Sequence, residues 1–464
     1  MDFCSGTPKY LLLYRHIRNQ IESERLQADE KLPSVRSLAS YLKVNASTVV
    51  HAYSLLERDR YICKKDRSGS FVCSKKEIEI SSSGDLRFDL ANPKAGMFDT
   101  LNFKKAVEAA IANEGESLFD YQEGLGYGPL RECICQYIEA QGIFSEPDRI
   151  QIISGAQQGI NIITKSLFSY GDVVFTEAPS YPGAIEVFRE NGLKIVGIPL
   201  LSDGPDMGIL KRKLEKIRPV LFYLMPNFQN PTGITYSKKK KIQLLELAEK
   251  YDFWIMEDDY ISDFPFESED NFTIRAYDKN QRTVYIKSFS KILMPGLRIA
   301  FVEMPGHIRS IVSRTKSSMD ISTSSFIQLS LFYYMKHFNW KEHLKSVGAL
   351  YERRFAKAKR ILSKTLGEDL RFREAAGGIN FFAELPRHCS SLDLKRYLED
   401  RNIRIQEGAA FYPNVKAEND FRISIAHIEE EKLRSSLDHL AENILGFLRE
   451  KNNKTEVKKT GGRQ

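Results

Sequence analysis

The sequence predicts an α/β protein in two parts. A winged helix-turn-helix domain is expected over residues 1–75 and a large α/β domain over 91–464, joined by a linker over 76–90. Three observations carry this. Short amphipathic helical segments crowd the N-terminal stretch. Apolar runs of strand length then alternate with helical ones, as in a mostly parallel sheet buried on both faces. Polar, chemistry-bearing residues fall just after those runs, where open α/β sheets bind ligands.

Composition narrows the class. A chain of 464 residues with 42% hydrophobic and 28% charged residues has material for a large core and more than one domain. No run of 18 apolar residues occurs, and the N-terminus lacks a signal-peptide pattern, so a soluble chain with no membrane partner is expected. The six cysteines are scattered without paired metal spacing, so no metal is expected, and a reducing, cytoplasmic setting is. The net charge of +7 is uneven. Residues 1–75 hold 13 Lys/Arg against 8 Asp/Glu, and 449–464 hold six against two, a basic tail on a near-neutral body. A basic head points to a polyanionic partner. The Lys238–Lys241 run after Ser237 reads as a solvated helix face.

In the head, Leu13, Ile17 and Ile21 recur every four residues, the buried stripe of a first helix. Ser34 after Pro33 caps a second helix carrying Val35, Leu38 and Leu42. A break at 43–45 leads into a third with Val49, Tyr53 and Leu56 on one face. Strands at Tyr61–Lys64 and Phe71–Cys73, around Ser68-Gly69-Ser70, would make a wing. The cluster of serines and mixed charges that follows marks the linker.

In the body the apolar runs are Ile150–Ile153, Val173–Thr176, Val220–Met225, Phe253–Met256, Thr283–Ile286 and Ile299–Val302. The most telling motif follows the fifth, Ser288-Phe-Ser290-Lys291, with Arg298 seven residues on. A lysine can form a Schiff base, and two hydroxyls with a guanidinium can hold a phosphate dianion. Pyridoxal 5'-phosphate (PLP) carries an aldehyde and a phosphate, so it meets both requirements. Ser154-Gly-Ala156-Gln157 opens a helix whose amides can approach a phosphate. Tyr181, between two prolines, can stack on a ring, and Asn230 in Asn-Pro-Thr-Gly can donate to a phenolate. Within Glu257-Asp-Asp-Tyr260, Asp258 can pair with a protonated pyridine nitrogen; a carboxylate metal cluster is the rival reading.

These motifs, in this order, resemble the fold-type I PLP-dependent enzymes, specifically class I aminotransferases, with a large mostly parallel sheet and a small α+β subdomain. The resemblance implies Lys291 as the Schiff-base lysine, Asp258 on the ring nitrogen, Asn230 and Tyr260 on the ring hydroxyl, and Tyr181 stacked on the ring. It implies phosphate contacts from Ser288, Ser290, Arg298 and the amides of Ala156 and Gln157. It further implies Tyr121 reaching the phosphate of a neighbouring subunit, hence a homodimer, and Arg422 clamping a ligand α-carboxylate. The head, with Leu32-Pro-Ser34-Val-Arg36 and Thr48 to Leu56, resembles the GntR family of bacterial regulators. That likeness implies Ser34 and Arg36 on DNA phosphate, Ser47 and Thr48 at the start of the recognition helix, and Gly69 toward the minor groove. Ala46 stands where an arginine is usual, which leaves base readout to His51 or the wing. The two parts together resemble the MocR subfamily. The layout implies a transcriptional regulator, cytoplasmic and nucleoid-associated, that senses PLP or an amino compound. An active aminotransferase with an accessory head is the alternative.

Overall fold

The computed structural model describes residues 9–460 apart from 24, 28–29, 43, 59–60, 66–68, 73–84, 95–97, 265–271 and 415–417. The chain divides into two compact units after Leu86. In the first, α1 (Lys9–Glu22), α2 (Val35–Leu42) and α3 (Ala46–Arg58) precede the hairpin β1 (Ile62–Lys65) and β2 (Gly69–Val72). Leu13, Ile17 and Ile21 are buried, as their four-residue spacing requires, against Ala39, Val49, Ala52, Tyr53 and Leu56. Each such side chain contributes roughly 1.5–3 kcal/mol on burial, which matters in a core this small.

Ser34 Oγ accepts from the Ser37 N–H at 3.2 Å and Asn45 Oδ1 from the Ser47 N–H at 3.1 Å, so each of the last two helices starts on a cap. The Tyr53 hydroxyl donates to the Pro33 carbonyl at 2.8 Å and ties α3 to the start of α2. The wing strands sit one to two residues away from the expected positions and pair antiparallel, Ile62 opposite Val72 through Lys65 opposite Gly69. An isolated bridge, Lys31 opposite Phe71, flanks them, Leu32 N–H donating to Ser70 O and Val72 N–H to Glu30 O, both at 2.9 Å. Of the expected linker, 76–84 lie outside the described residues. Arg87–Leu90 belong to the body instead: Phe88 is fully buried there and its carbonyl accepts from the Ser424 N–H at 2.8 Å.

The body is built on β3 (Ile150–Ile153), β4 (Val173–Ala178), β5 (Lys194–Leu201), β6 (Gly204–Pro205), β7 (Leu221–Leu224), β8 (Trp254–Asp259), β9 (Thr283–Ser288) and β10 (Ala300–Glu303). Their order across the sheet is β3-β10-β9-β8-β7-β4-β5-β6. From β9 to β5 every pairing is parallel; β10 runs antiparallel to both neighbours and β6 is an antiparallel edge. The uninterrupted apolar runs are strands buried on both faces. Two continue beyond their apolar part, which brings Glu257, Asp258 and Asp259 into β8 and Ser288 into β9. The register sets Ile286 opposite Asp258 and Lys287 opposite Asp259.

A small four-stranded antiparallel sheet follows, Arg371–Phe372, Asn380–Glu384, Asp420–Ser424 and Gln406–Glu407 in that order. The helix Leu433–Thr460 carries the basic tail. Lys238–Lys241 do open a helix after Ser237, with Lys238 and Lys239 exposed as expected but Lys240 and Lys241 buried. Lys241 is buried, donating to Asn227 Oδ1 at 2.9 Å and the Phe272 carbonyl at 2.7 Å, and Lys240 pairs with Asp203. No described helix is long and apolar enough to cross a membrane.

Candidate functional site

A cavity of about 750 Å³ opens at the carboxyl ends of the strands. Ala156, Gln157, Tyr181, Asn230, Asp258, Tyr260, Ser288, Ser290, Lys291, Arg298 and Arg422 all line it. Residues far apart in the sequence converge because all but Arg422, which comes from the small sheet, follow or end a strand of the large sheet.

One end is shaped for an anion. Gly155 precedes the helix Ala156–Leu167, whose first-turn amides have no side-chain cap. Arg298, in the left-handed region at φ 51°, turns back over this helix start and donates to the Ser154 carbonyl at 3.2 Å. Gly155 itself has φ 103°, which favours glycine, and a Cβ there would lie 2.3 Å from the Arg298 guanidinium, which would have to move. Ser288 and Ser290 complete this end from the β9 turn, with Ser288 Oγ accepting from the Ser290 N–H at 3.2 Å.

The consecutive carboxylates of β8 go to three destinations. Glu257 accepts from the backbone N–H groups of Ile274 and Arg275, both at 2.8 Å, and so caps a short helix. Asp259 meets Lys287 at 3.0 Å and the Tyr285 hydroxyl at 2.6 Å. Asp258 alone lines the cavity, held by the Tyr223 hydroxyl at 2.6 Å. Burial pushes Asp258 up to about 6, the Tyr223 hydrogen bond opposing and the neighbouring Asp259 adding to the rise. Three carboxylates with separate partners do not make the metal cluster that their adjacency allows.

Lys291 Nζ donates to Asn92 Oδ1 at 2.8 Å. Burial, then the Arg422 and Arg298 charges, bring its amine down to about 7, with Asp258 opposing. Arg422 arrives from the small sheet, over the Phe411 ring at 5.2 Å, and donates to Asn230 Oδ1 at 3.0 Å and to the Asp89 carbonyl. Its Nε is buried without a partner. Burial brings the guanidinium down to about 10, so it remains charged at neutral pH. The Tyr260 hydroxyl donates to the Phe228 carbonyl at 2.5 Å.

Tyr121 is not in this cavity; it is 78% exposed on its own chain. In the head, Ser34, Arg36, Ser47 and Gly69 are exposed and Thr48 is half-buried. Gly69 has φ 108°, a conformation the wing turn takes most easily with glycine. The His51 ring stands edge-on to Tyr10 at 5.7 Å. Asn92, Tyr223 and Phe411 escape sequence reasoning. Tyr223 lies inside an apolar run, and the other two reach the site only through the folding of distant segments.

Residues 91–440 match the model of aminotransferase class I and II, and residues 9–72 that of the gntR family of bacterial regulatory proteins. The uncharacterized HTH-type transcriptional regulator YcxD of Bacillus subtilis is 26% identical over 94% of this chain and 100% of its own. The probable rhizopine catabolism regulatory protein MocR of Rhizobium meliloti is 23% identical over 96% of each chain. Among solved structures, LysN, the alpha-aminoadipate aminotransferase of Thermus thermophilus complexed with N-(5'-phosphopyridoxyl)-L-leucine, is 26% identical with a TM-score of 0.74. That likeness covers 81% of this chain and 96% of that one. With a gntR-type domain ahead of the matched body, the layout of MocR-type regulators, the chain belongs to the aminotransferase class I and II family.

Proposed function

We propose that this chain is a PLP-dependent, DNA-binding transcriptional regulator whose body senses PLP or an amino compound and whose head binds a double-stranded operator. The observation that carries it is the joining, in one chain, of a lysine–carboxylate–arginine cavity to a gntR-type head. Relatives named as regulators match along the whole chain, which favours regulation over metabolism as the main role. A regulator of this kind works in the cytoplasm, with the DNA.

The residues present fit the cofactor. Arg298, the Ala156 and Gln157 amides, Ser288 and Ser290 would hold the phosphate, a dianion suited to an uncapped helix start. Asp258 would hold the ring-nitrogen proton, Tyr181 would stack on the ring, and Asn230 and Tyr260 would orient its hydroxyl. Bound there, PLP supplies an aldehyde carbon and an electron sink. Lys291, brought down to about 7, offers a substantial share of neutral, nucleophilic amine near neutral pH. Arg422 presents a planar fork suited to a carboxylate, so the expected effector is an amino acid. Tyr121, exposed on its own chain, would complete the phosphate site of a second subunit, which makes the working form a homodimer.

Lys291, Asp258 and Arg422 in one cavity also support a second reading, an active aminotransferase with an accessory head. One experiment separates them: DNA affinity of the full-length protein for its own upstream DNA, with and without PLP and a panel of amino acids, beside steady-state transamination of the same sample. A regulator changes DNA affinity by a factor of about 5–150 with an amino ligand, the usual coupling range, and releases little keto acid. Turnover of about 1–10³ per second with DNA affinity indifferent to every donor would make the chain an enzyme first.

A further inference from the structure

The two ligand-directed cations of the cavity hold the same short stretch of chain. Arg422 donates to the Asp89 carbonyl, and Lys291 Nζ donates to Asn92 Oδ1 at 2.8 Å. Outside the cavity, His427 Nδ1 contacts the Asn92 carbonyl at 3.1 Å and Lys94 pairs with Glu429 at 2.6 Å. The body begins at Arg87, so this is the first stretch of the body that the chain enters after the head. Asn92 is exposed, and packing does little to fix its side chain.

The lysine contact depends on what Lys291 is bonded to. A free ammonium has three N–H donors and can spare one for Asn92. When the lysine nitrogen condenses with an aldehyde, water leaves and the nitrogen keeps at most one hydrogen, fixed in the plane of the new double bond. Asn92 Oδ1 then loses its donor. When an effector amine takes the place of the lysine on the aldehyde carbon, its two N–H hydrogens end on Lys291 and the donor returns.

We infer that Asn92 is a positioning residue that reads the bonding state of Lys291. It clasps Asp89–Asn92 to the cavity while the lysine is a free amine and lets go when the lysine is joined to the cofactor. The stretch so held or released follows the DNA-binding unit in chain order, which gives the effector a covalent path to it. The inference rests on the PLP reading above, and it names the residue through which that site would act on the rest of the chain.

Hydrogen exchange of the peptide covering 85–94 in full-length protein tests it. In the wild type, loading with PLP should speed exchange of this peptide about tenfold, as the loss of one charge-assisted hydrogen bond loosens the stretch. Asn92→Ala should exchange fast with or without PLP, and Asn92→Asp, which keeps an acceptor oxygen in place, should restore the difference. In cofactor-free protein, Lys291→Ala should match Asn92→Ala, and the double variant should be no faster than either. Exchange indifferent to loading in the wild type, or a loading response kept by Asn92→Ala, would overturn the clasp. Failure of the PLP reading shows separately, as no visible absorbance and no borohydride-trapped lysine on adding PLP. The cofactor-free comparison of the two alanine variants still decides the clasp in that event: additive effects sink it.

Discussion

Lys287 and Lys291 stand four residues apart on the same strand and turn, and their surroundings make them opposites. Lys287 is fully enclosed, held by Asp259 at 3.0 Å and Asp263 at 2.5 Å, and these charges raise its proton affinity above that of an ordinary lysine despite burial. Lys291 is half-buried, but it faces the Arg422 and Arg298 guanidiniums and is brought down to about 7. Desolvation acts the same way on both. The sign of the neighbouring charge decides which lysine is a fixed cation and which is a nucleophile. A buried lysine thus becomes reactive where acids are turned away from it, and β8 does this by sending Asp259 to Lys287 and only Asp258 toward the cavity.

The largest effect expected from breaking this contrast is all-or-none. Lys291→Ala should reduce borohydride-fixed PLP to background, read by mass spectrometry, with the fold intact. Among the described residues no other lysine lines the cavity. Labelling at Lys287 instead would sink the assignment, since that amine is expected to be charged and enclosed.

Lys287→Met should act on stability instead, removing the cation from two buried acids at a cost of about 3–5 kcal/mol in urea unfolding of the body. Its folded-state proton affinity is raised, so its stabilisation is present throughout the range below the ordinary lysine value. It is lost only as pH rises through the higher folded value. The deficit of the methionine variant should therefore persist to high pH and shrink as pH falls, where the buried acids that have lost their cation take up protons. Adding Asp259→Asn and Asp263→Asn should recover most of it. No recovery would mean that lost packing, and not unpaired charge, is the cause.

These two lysines also show what was legible in the sequence. Lys291 announces itself because its neighbours Ser288, Ser290 and Arg298 are local, and strand, turn and motif coincide. Lys287 sits in a strand of apolar residues with nothing nearby to explain it. Its partners arrive through the β8–β9 register and from Asp263, 24 residues earlier, which only folding brings close. The fold shows the same divide. Runs buried on both faces were readable as strands, whereas Lys194–Leu201 alternates in exposure and carries a proline, so it hides. Lys240 and Lys241 read as solvated because partners such as Asp203 and Asn227 are remote in sequence.

A smaller effect sharpens the electrostatic half of the comparison. The rate at which Lys291 captures PLP should rise through about pH 7 as the amine loses its proton, and level off above it. Arg422→Gln removes the larger of the two charges that lower it, so the midpoint should move upward, measured by stopped-flow absorbance. An unmoved midpoint would leave burial and Arg298 as the causes and remove Arg422 from the account.

The smallest effect belongs to the head, where the charges are exposed and water screens what the body's interior does not. Arg36 lies in the first turn of α2, exposed to solvent, near the Ser34 cap. If it rests on a DNA phosphate it contributes one counterion's worth of binding: Arg36→Ala should lower the slope of log affinity against log salt by about 0.9. At physiological ionic strength, where the Debye length is about 8 Å, the direct loss should be modest and alike for operator and random duplex. Ser47→Ala, at the start of α3, should leave that slope unchanged and reduce the preference for the operator, since base-edge contacts carry discrimination of about 1–3 kcal/mol where phosphate contacts carry none. The two variants are separated by salt titration on both duplexes. An Arg36→Ala protein with the wild-type slope would take this arginine off the backbone. If Ser47→Ala also left preference intact, base readout would pass to the wing at Gly69 or to His51, the residues left to supply it where Ala46 stands in place of an arginine.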